Sequence, residues 1–389
     1  MSKENNENKS SAKQLLAGGL LIVSTVCLTA SAVYLYDIYQ QGKKEADTYV
    51  NYVQEEVIEG DSEEQEVTDN NQGLVGNQSA DSNDKGNTEI DQITADTNIV
   101  EEAENTKSTP PVKVKGIYVT AQMAGSSKNM ANLIDLVEST ELNTMVIDIK
   151  NDSGEITYKM DNVVAKEIGA TVNYISDIKD LVARLKEKGI YLIARVVAFK
   201  DPILAESKPE LSIKNADGSI FYDRSNLAWV NPYKKEVWEY LVSVSKEAAA
   251  LGFDEIQFDY IRFSTDSGVK QAHFGEEARD KSKIEVITEF TKYAYEELSP
   301  LGVYVSADVF GSIISSDVDA KIVGQSYYQM AKYLDYICPM IYPSHYANGS
   351  YGIDYPDLEP YYLIKKALED SKVVLEMNEE EEHQAIVRP

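Results

Sequence analysis

WVNPYKKEVWEYLVSVSKEAAALGFDEIQFDYIRF, residues 229–263, decides the fold. Pro232 stands near a helical first turn, apolar residues follow at helical spacing, and Gly252 ends the run. A helix is therefore predicted over 234–251. An apolar strand follows over 254–263, with Asp259 towards its end and Gln257 and Ile261 on the same face. A helix feeding an apolar strand that ends in a charge is the unit of a parallel α/β sheet.

The same texture extends in both directions. Strand-like runs are predicted over 114–120, 144–150, 190–199, 303–311 and 336–342, and amphipathic helices over 129–139, 173–188, 276–298 and 325–334. Six successive β–α units match the first three quarters of a TIM (β/α)8-type barrel. A doubly wound sheet is the alternative, but no G-x-G-x-x-G follows any of these strands. The acidic run over 376–382 reads as an exposed loop, and QAIVRP, 384–389, as the start of a seventh strand. The barrel is thus expected to be C-terminally incomplete after about six units, either as a truncated product or as a sheet that a partner completes.

Charges sit where such a barrel keeps its active site, at the C-terminal strand ends. MVIDIKN carries Asp148 and Lys150, LIARVVAF carries Arg195, EIQFDYIRF carries Asp259, VYVSADVFG carries Asp308, and IYPSHY carries Tyr342 and His345. A charge in an apolar strand is expensive unless it is paired or functional. Several on consecutive strands, all towards one end, point to a polar site. Asp259 and Asp308 belong to adjacent strands about 4.8 Å apart, near the roughly 5–5.5 Å carboxyl separation of retaining glycosidases. Arg195 or Arg262 would keep a nucleophilic carboxylate ionised, while a desolvated partner holds its proton.

Asn215-Ala216-Asp217-Gly218 predicts a hairpin turn after the third strand. Its loop carries Phe221, Tyr222 and Trp229, rings suited to stacking on a sugar, as a packed lid would also carry. Tyr260 and Arg262, beside Asp259, are further candidate substrate contacts. Two cysteines, Cys27 and Cys338, exclude a disulfide framework and a Cys-based zinc site, and three histidines do not make a His-rich metal centre. There is no G-x-S-x-G elbow, and no metal or cofactor is expected.

The chain has 389 residues and a net charge of −28, a poor partner for nucleic acid. Residues 15–36 hold no charge across 22 positions, enough to cross a bilayer core of about 30 Å. They read as an uncleaved signal anchor, or as a signal peptide cut after Ala30-Ser31-Ala32. Residues 45–112 carry eighteen acidic residues against Lys85 and Lys107, too polar and self-repelling to bury a core. The expected organisation is a cytoplasmic tail over 1–14, a transmembrane anchor over 15–36, an acidic disordered linker over 37–112, and an extracellular barrel domain over 113–389.

The stretches VKGIYVTA, NTMVIDIKND, GIYLIARVVAFKDP, SADVFG and YICPMIYPSHY, together with 229–263, resemble a bacterial glycoside hydrolase family first catalogued as a domain of unknown function. The resemblance runs from about Lys113 to the end. It implies a TIM barrel distantly akin to the α-amylase-like glycosidases, secreted or tethered, acting on an envelope or extracellular polysaccharide. By that analogy Asp259 is the nucleophile and Asp308 the acid/base, although the amylase-like group normally uses Glu in the second role. A non-catalytic carbohydrate-binding or envelope scaffold is the competing expectation. A barrel enzyme acting on a phosphorylated metabolite would need a phosphate cradle after strands seven and eight.

Overall fold

The computed structural model describes residues 107, 109–376 and 383–389. They form one parallel sheet of seven strands in sequential order: β1 (Gly116–Val119), β2 (Thr144–Lys150), β3 (Tyr191–Val197), β4 (Glu255–Asp259), β5 (Tyr304–Phe310), β6 (Tyr336–Met340) and β7 (Ile386–Val387). Each predicted strand is present, and QAIVRP forms β7 on the edge of β6.

Helices cover the outer face. The helix Lys235–Leu251 buries Val237, Trp238, Leu241, Val244 and Ala248. The Trp238 indole N–H donates to the Pro232 carbonyl at 2.7 Å, which fixes the approach to this helix. Gly252 closes it at φ 102°, a conformation strained for any residue with a Cβ. The predicted helix over 276–298 begins only at Lys283. Ser282 accepts from the Glu285 N–H while Glu285 reaches back to the Ser282 N–H, and this capping box sets the start. The predicted helix over 325–334 is a single α-turn, Tyr327–Met330, continued by a 3-10 turn. Between β6 and β7 the crossover is the helix Pro360–Glu376, for which the sequence patterns name no helix.

The sheet is curled. On a flat sheet β4 and β7 would lie three strand spacings apart, about 14 Å. Yet Arg388, which follows β7, grips Glu255 of β4 through two hydrogen bonds of 2.9 Å inside the curl. Glu255 is fully buried and also accepts from Tyr191 and Ser306. The result is a half-barrel with its concave face filled by side chains.

The domain begins earlier than the expected boundary at 113. Lys107 bonds Ser299 Oγ, the Val303 carbonyl and Asp335 at 2.9–3.0 Å, and its ammonium lies over the rings of Tyr295 and Tyr304. Thr109 donates to Asp254 at 2.6 Å and its carbonyl accepts from Tyr304. Val112 and Val114 then pack on Tyr191, Ile193, Tyr304, Tyr336 and Cys338. Lys107 and residues 109–114 thus form a strap across the N-terminal ends of β3–β6. Among the described residues no helix is long and apolar enough to cross a membrane, and the expected anchor at 15–36 lies outside them.

Candidate active site

Strand alternation brings the inward-facing charges together at the C-terminal end of the sheet. Arg195 of β3 bridges its two neighbours. It bonds Asp148 of β2 at 2.8 Å, and Asp259 of β4 at 3.0 Å from Nε and 2.5 Å from the second terminal nitrogen. Burial alone would lower the Arg195 pKa, but the Asp259 and Asp148 carboxylates outweigh it and raise it. The guanidinium is therefore a permanent cation between two carboxylates.

Tyr118 of β1 donates to Asp148 at 2.5 Å, and Arg195 lies over its ring. Burial and that hydrogen bond hold the Tyr118 hydroxyl above its ordinary pKa, so it stays a donor. Sequence reasoning misses Tyr118. The signal available is its position in GIYV, one strand over from Asp148 and on the same inward face.

β4 stops at Asp259, four residues short of the predicted end at 263. Tyr260 adopts φ 50°, the left-handed region, which ends the extended backbone and costs roughly 1–2 kcal/mol for a residue with a Cβ. The turn aims the Tyr260 N–H at Asp259 Oδ1, 2.6 Å away. The Asp259 and Tyr260 carbonyls accept from Ala198 and Phe199. The Tyr260 ring meets Trp229 edge-on at 5.8 Å and lies under Lys200 and Arg262, each 5.0 Å from its centre. Arg262 also covers Trp229 and Phe310 and donates to the Phe263 carbonyl.

Asp308 stands on β5 beside Asp259; the ladder pairs Phe258 with Ala307, one residue earlier on both strands. Burial pushes the Asp308 pKa well above the carboxylate range, and the Asp259 charge pushes it further. Gln325 is buried between the two strand ends. It donates to the Ile261 and Asp308 carbonyls and accepts from the Phe310 N–H. Tyr342, half exposed, has its pKa raised by burial and then by Asp308 and Asp259, and it meets His345 edge-on.

Asp148, Arg195, Asp259, Asp308, Tyr260 and Tyr342 are therefore gathered at one mouth, with His345 exposed on its rim. Two residues expected there face elsewhere. Lys150 is fully buried and bonds Asp201 and the Val197 carbonyl. The ladder shifts register between Asp148 and Lys150, which removes the shared facing that strict alternation would give them. Trp229 is 2% exposed, with its N–H on Asp223, so it supports Tyr260 from behind and presents no ring to solvent. The hairpin forms as expected, with Lys214 bridged to Ile220, but Phe221 is buried while Tyr222 is exposed. Among the described residues no group of His, Cys, Asp or Glu is arranged to hold a metal.

Residues 116–389 match the family described as “Putative glycosyl hydrolase domain”. No curated protein matches. A hypothetical protein from Ruminiclostridium thermocellum is 40% identical over 50% of this chain and 97% of its own, at a TM-score of 0.46. The glycoside hydrolase domain of PgaB (BpsB) from Bordetella bronchiseptica is 12% identical over 67% of this chain and 81% of its own, at 0.48. An α-galactosidase from Thermus thermophilus is 11% identical over 73% of this chain and 52% of its own, at 0.41.

Proposed function

The chain belongs to this glycosyl hydrolase domain family, and from that premise we propose that it hydrolyses glycosidic bonds of an extracellular or envelope polysaccharide through Asp259 and Asp308. One observation supports the assignment above others: two neighbouring carboxyls have opposite surroundings. Asp259 is ion-paired to Arg195 and bonded by the Tyr260 N–H, as a nucleophile requires. Asp308 is desolvated beside it and favours its protonated form, as a general acid requires.

In this reading Asp259 attacks the anomeric carbon while Asp308 gives its proton to the departing glycosidic oxygen. The product is a glycosyl ester of Asp259 and a free alcohol. Water then attacks the ester, passes a proton to Asp308, and restores both groups. Tyr118, Asp148, Tyr342 and His345 would meet the sugar at the mouth, with Arg262 and Trp229 behind Tyr260. The curled sheet is taken as a (β/α)8-type architecture, and the uncharged residues 15–36 as a single-pass anchor with the domain outside the cell.

A panel of 4-methylumbelliferyl glycosides tests the roles. Asp259→Asn should abolish turnover of whichever glycoside the native protein cleaves. Asp308→Asn should spare this good leaving group far more than an alkyl glycoside, whose oxygen needs the proton. Unchanged turnover in Asp259→Asn would overturn the proposal, and glycan binding without turnover would favour a carbohydrate-binding role.

A further inference from the structure

The backbone at Tyr260 departs from what its residue type favours, and it does so beside the carboxylate on which the proposed reaction turns. Non-glycine residues at positive φ are uncommon, and bulky ones are strained there. Such strain persists only where the surroundings over-determine it, and it gathers at functional sites. Here the surroundings are explicit. The Tyr260 carbonyl accepts from Phe199 at 3.2 Å, the preceding carbonyl accepts from Ala198 at 2.7 Å, and the ring is enclosed by Trp229, Lys200 and Arg262.

The donors reaching Asp259 define what this arrangement achieves. Arg195 places two N–H groups on Oδ2, and the Tyr260 N–H occupies one lone pair of Oδ1. With both oxygens held, the carboxylate cannot rotate about its Cβ–Cγ bond without breaking a charge-assisted hydrogen bond. A carboxylate oxygen has two lone pairs, so Oδ1 keeps one beyond the Tyr260 bond while Oδ2 carries both guanidinium donors. The geometry points to Tyr260 as a positioning residue that acts through its left-handed backbone, fixing Asp259 so that Oδ1 is the oxygen that reacts. This rests on the reading of Asp259 as nucleophile, and it assigns the Tyr260 ring to holding the turn rather than to the sugar.

Two measurements on the full chain test it separately. The first needs no substrate. With 15N-labelled tyrosine, the Tyr260 amide is identified as the resonance lost in Tyr260→Phe. It is expected far downfield, as a short bond to a carboxylate requires, and it should move upfield in Asp259→Ala. An amide indifferent to Asp259→Ala would overturn the contact.

The second is kinetic, with the 4-methylumbelliferyl glycoside that the native protein cleaves. Tyr260→Val cannot easily adopt a left-handed backbone, whereas Tyr260→Asn can. Displacing a reacting group by about 1 Å costs on the order of 100-fold. Tyr260→Val should therefore lose roughly 100-fold in kcat with KM little changed, and Tyr260→Asn no more than about tenfold. Melting curves confirm that each variant is folded at the assay temperature. Equal losses in both variants with a raised KM would mean that the ring binds substrate, and undiminished kcat in folded Tyr260→Val would mean that the turn is structural only; either overturns the inference. Native protein that cleaves no glycoside removes the proposed reaction and this role with it, while the amide shift still reports whether the contact exists, so the two failures are distinguished.

Discussion

Desolvation raises the pKa of Asp308 and the charge of Asp259 raises it further, so the folded protein keeps a proton that an unfolded chain releases. The sign of the linkage follows. Below the unfolded carboxyl pKa of about 3.9 both states are protonated and Asp308 costs nothing. As pH rises towards the folded value the unfolded state ionises first, and stability is lost. Asp308→Asn should remove this loss. Denaturant titrations should find the variant more stable than the native protein at pH 7, with the difference shrinking towards pH 4; the opposite trend would contradict the burial argument. Much of the site was legible at this scale. Asp148, Arg195, Asp259 and Asp308 are charges at inward positions of apolar strands, which a sequence displays directly. Lys150 was misplaced because alternation assumes an unbroken ladder, and the register shifts after Asp148. Tyr118 escaped notice because a tyrosine is an ordinary strand residue until its hydroxyl is seen on Asp148.

At the scale of elements, apolar runs located every strand core, and the boundaries moved where a local device intervened. β4 ends early at the left-handed turn of Tyr260, and the helix Lys283–Leu298 starts late at its capping box. The strap was not legible. By composition Lys107 and Thr109 belong to a solvated acidic stretch, and only tertiary structure shows Lys107 on Asp335, Ser299 and the Val303 carbonyl. Lys107→Met would leave Asp335, 9% exposed on its side chain, without this cation. Asp335 keeps the Val305 N–H, so the loss is that of a hydrogen bond to a charged group, about 1.5–3 kcal/mol. Chemical denaturation of the full chain should show a loss in that range, while an effect near zero would mean that the strap adds little to stability.

Over the whole molecule, the curl depends on a contact between the last described strand and the middle of the sheet. Arg388 and Glu255 are a buried pair, with Glu255 fully enclosed and the guanidinium 3.6 Å from the centre of the Tyr336 ring. Removing one member strands a buried charge, which costs about 3–5 kcal/mol, whereas replacing both with apolar residues is often close to neutral. Arg388→Met should therefore destabilise strongly, and Glu255→Met combined with it should recover much of the loss in the same denaturation assay. A mild single variant would show that the curl is held elsewhere.

The strap has a consequence for polarity. Its anchors at Asp254, Ser299, Val303 and Asp335 surround the strand beginnings, whereas Asp259, Asp308 and Tyr342 crown the strand ends. The chain therefore enters the domain at the pole facing away from its carboxylates. Tension drawn through residue 107 bears first on a lysine seated among Asp335, Ser299 and two tyrosine rings, and reaches β1 only afterwards. A pull arriving from the N-terminal side of residue 107 would therefore meet the pole opposite Asp259.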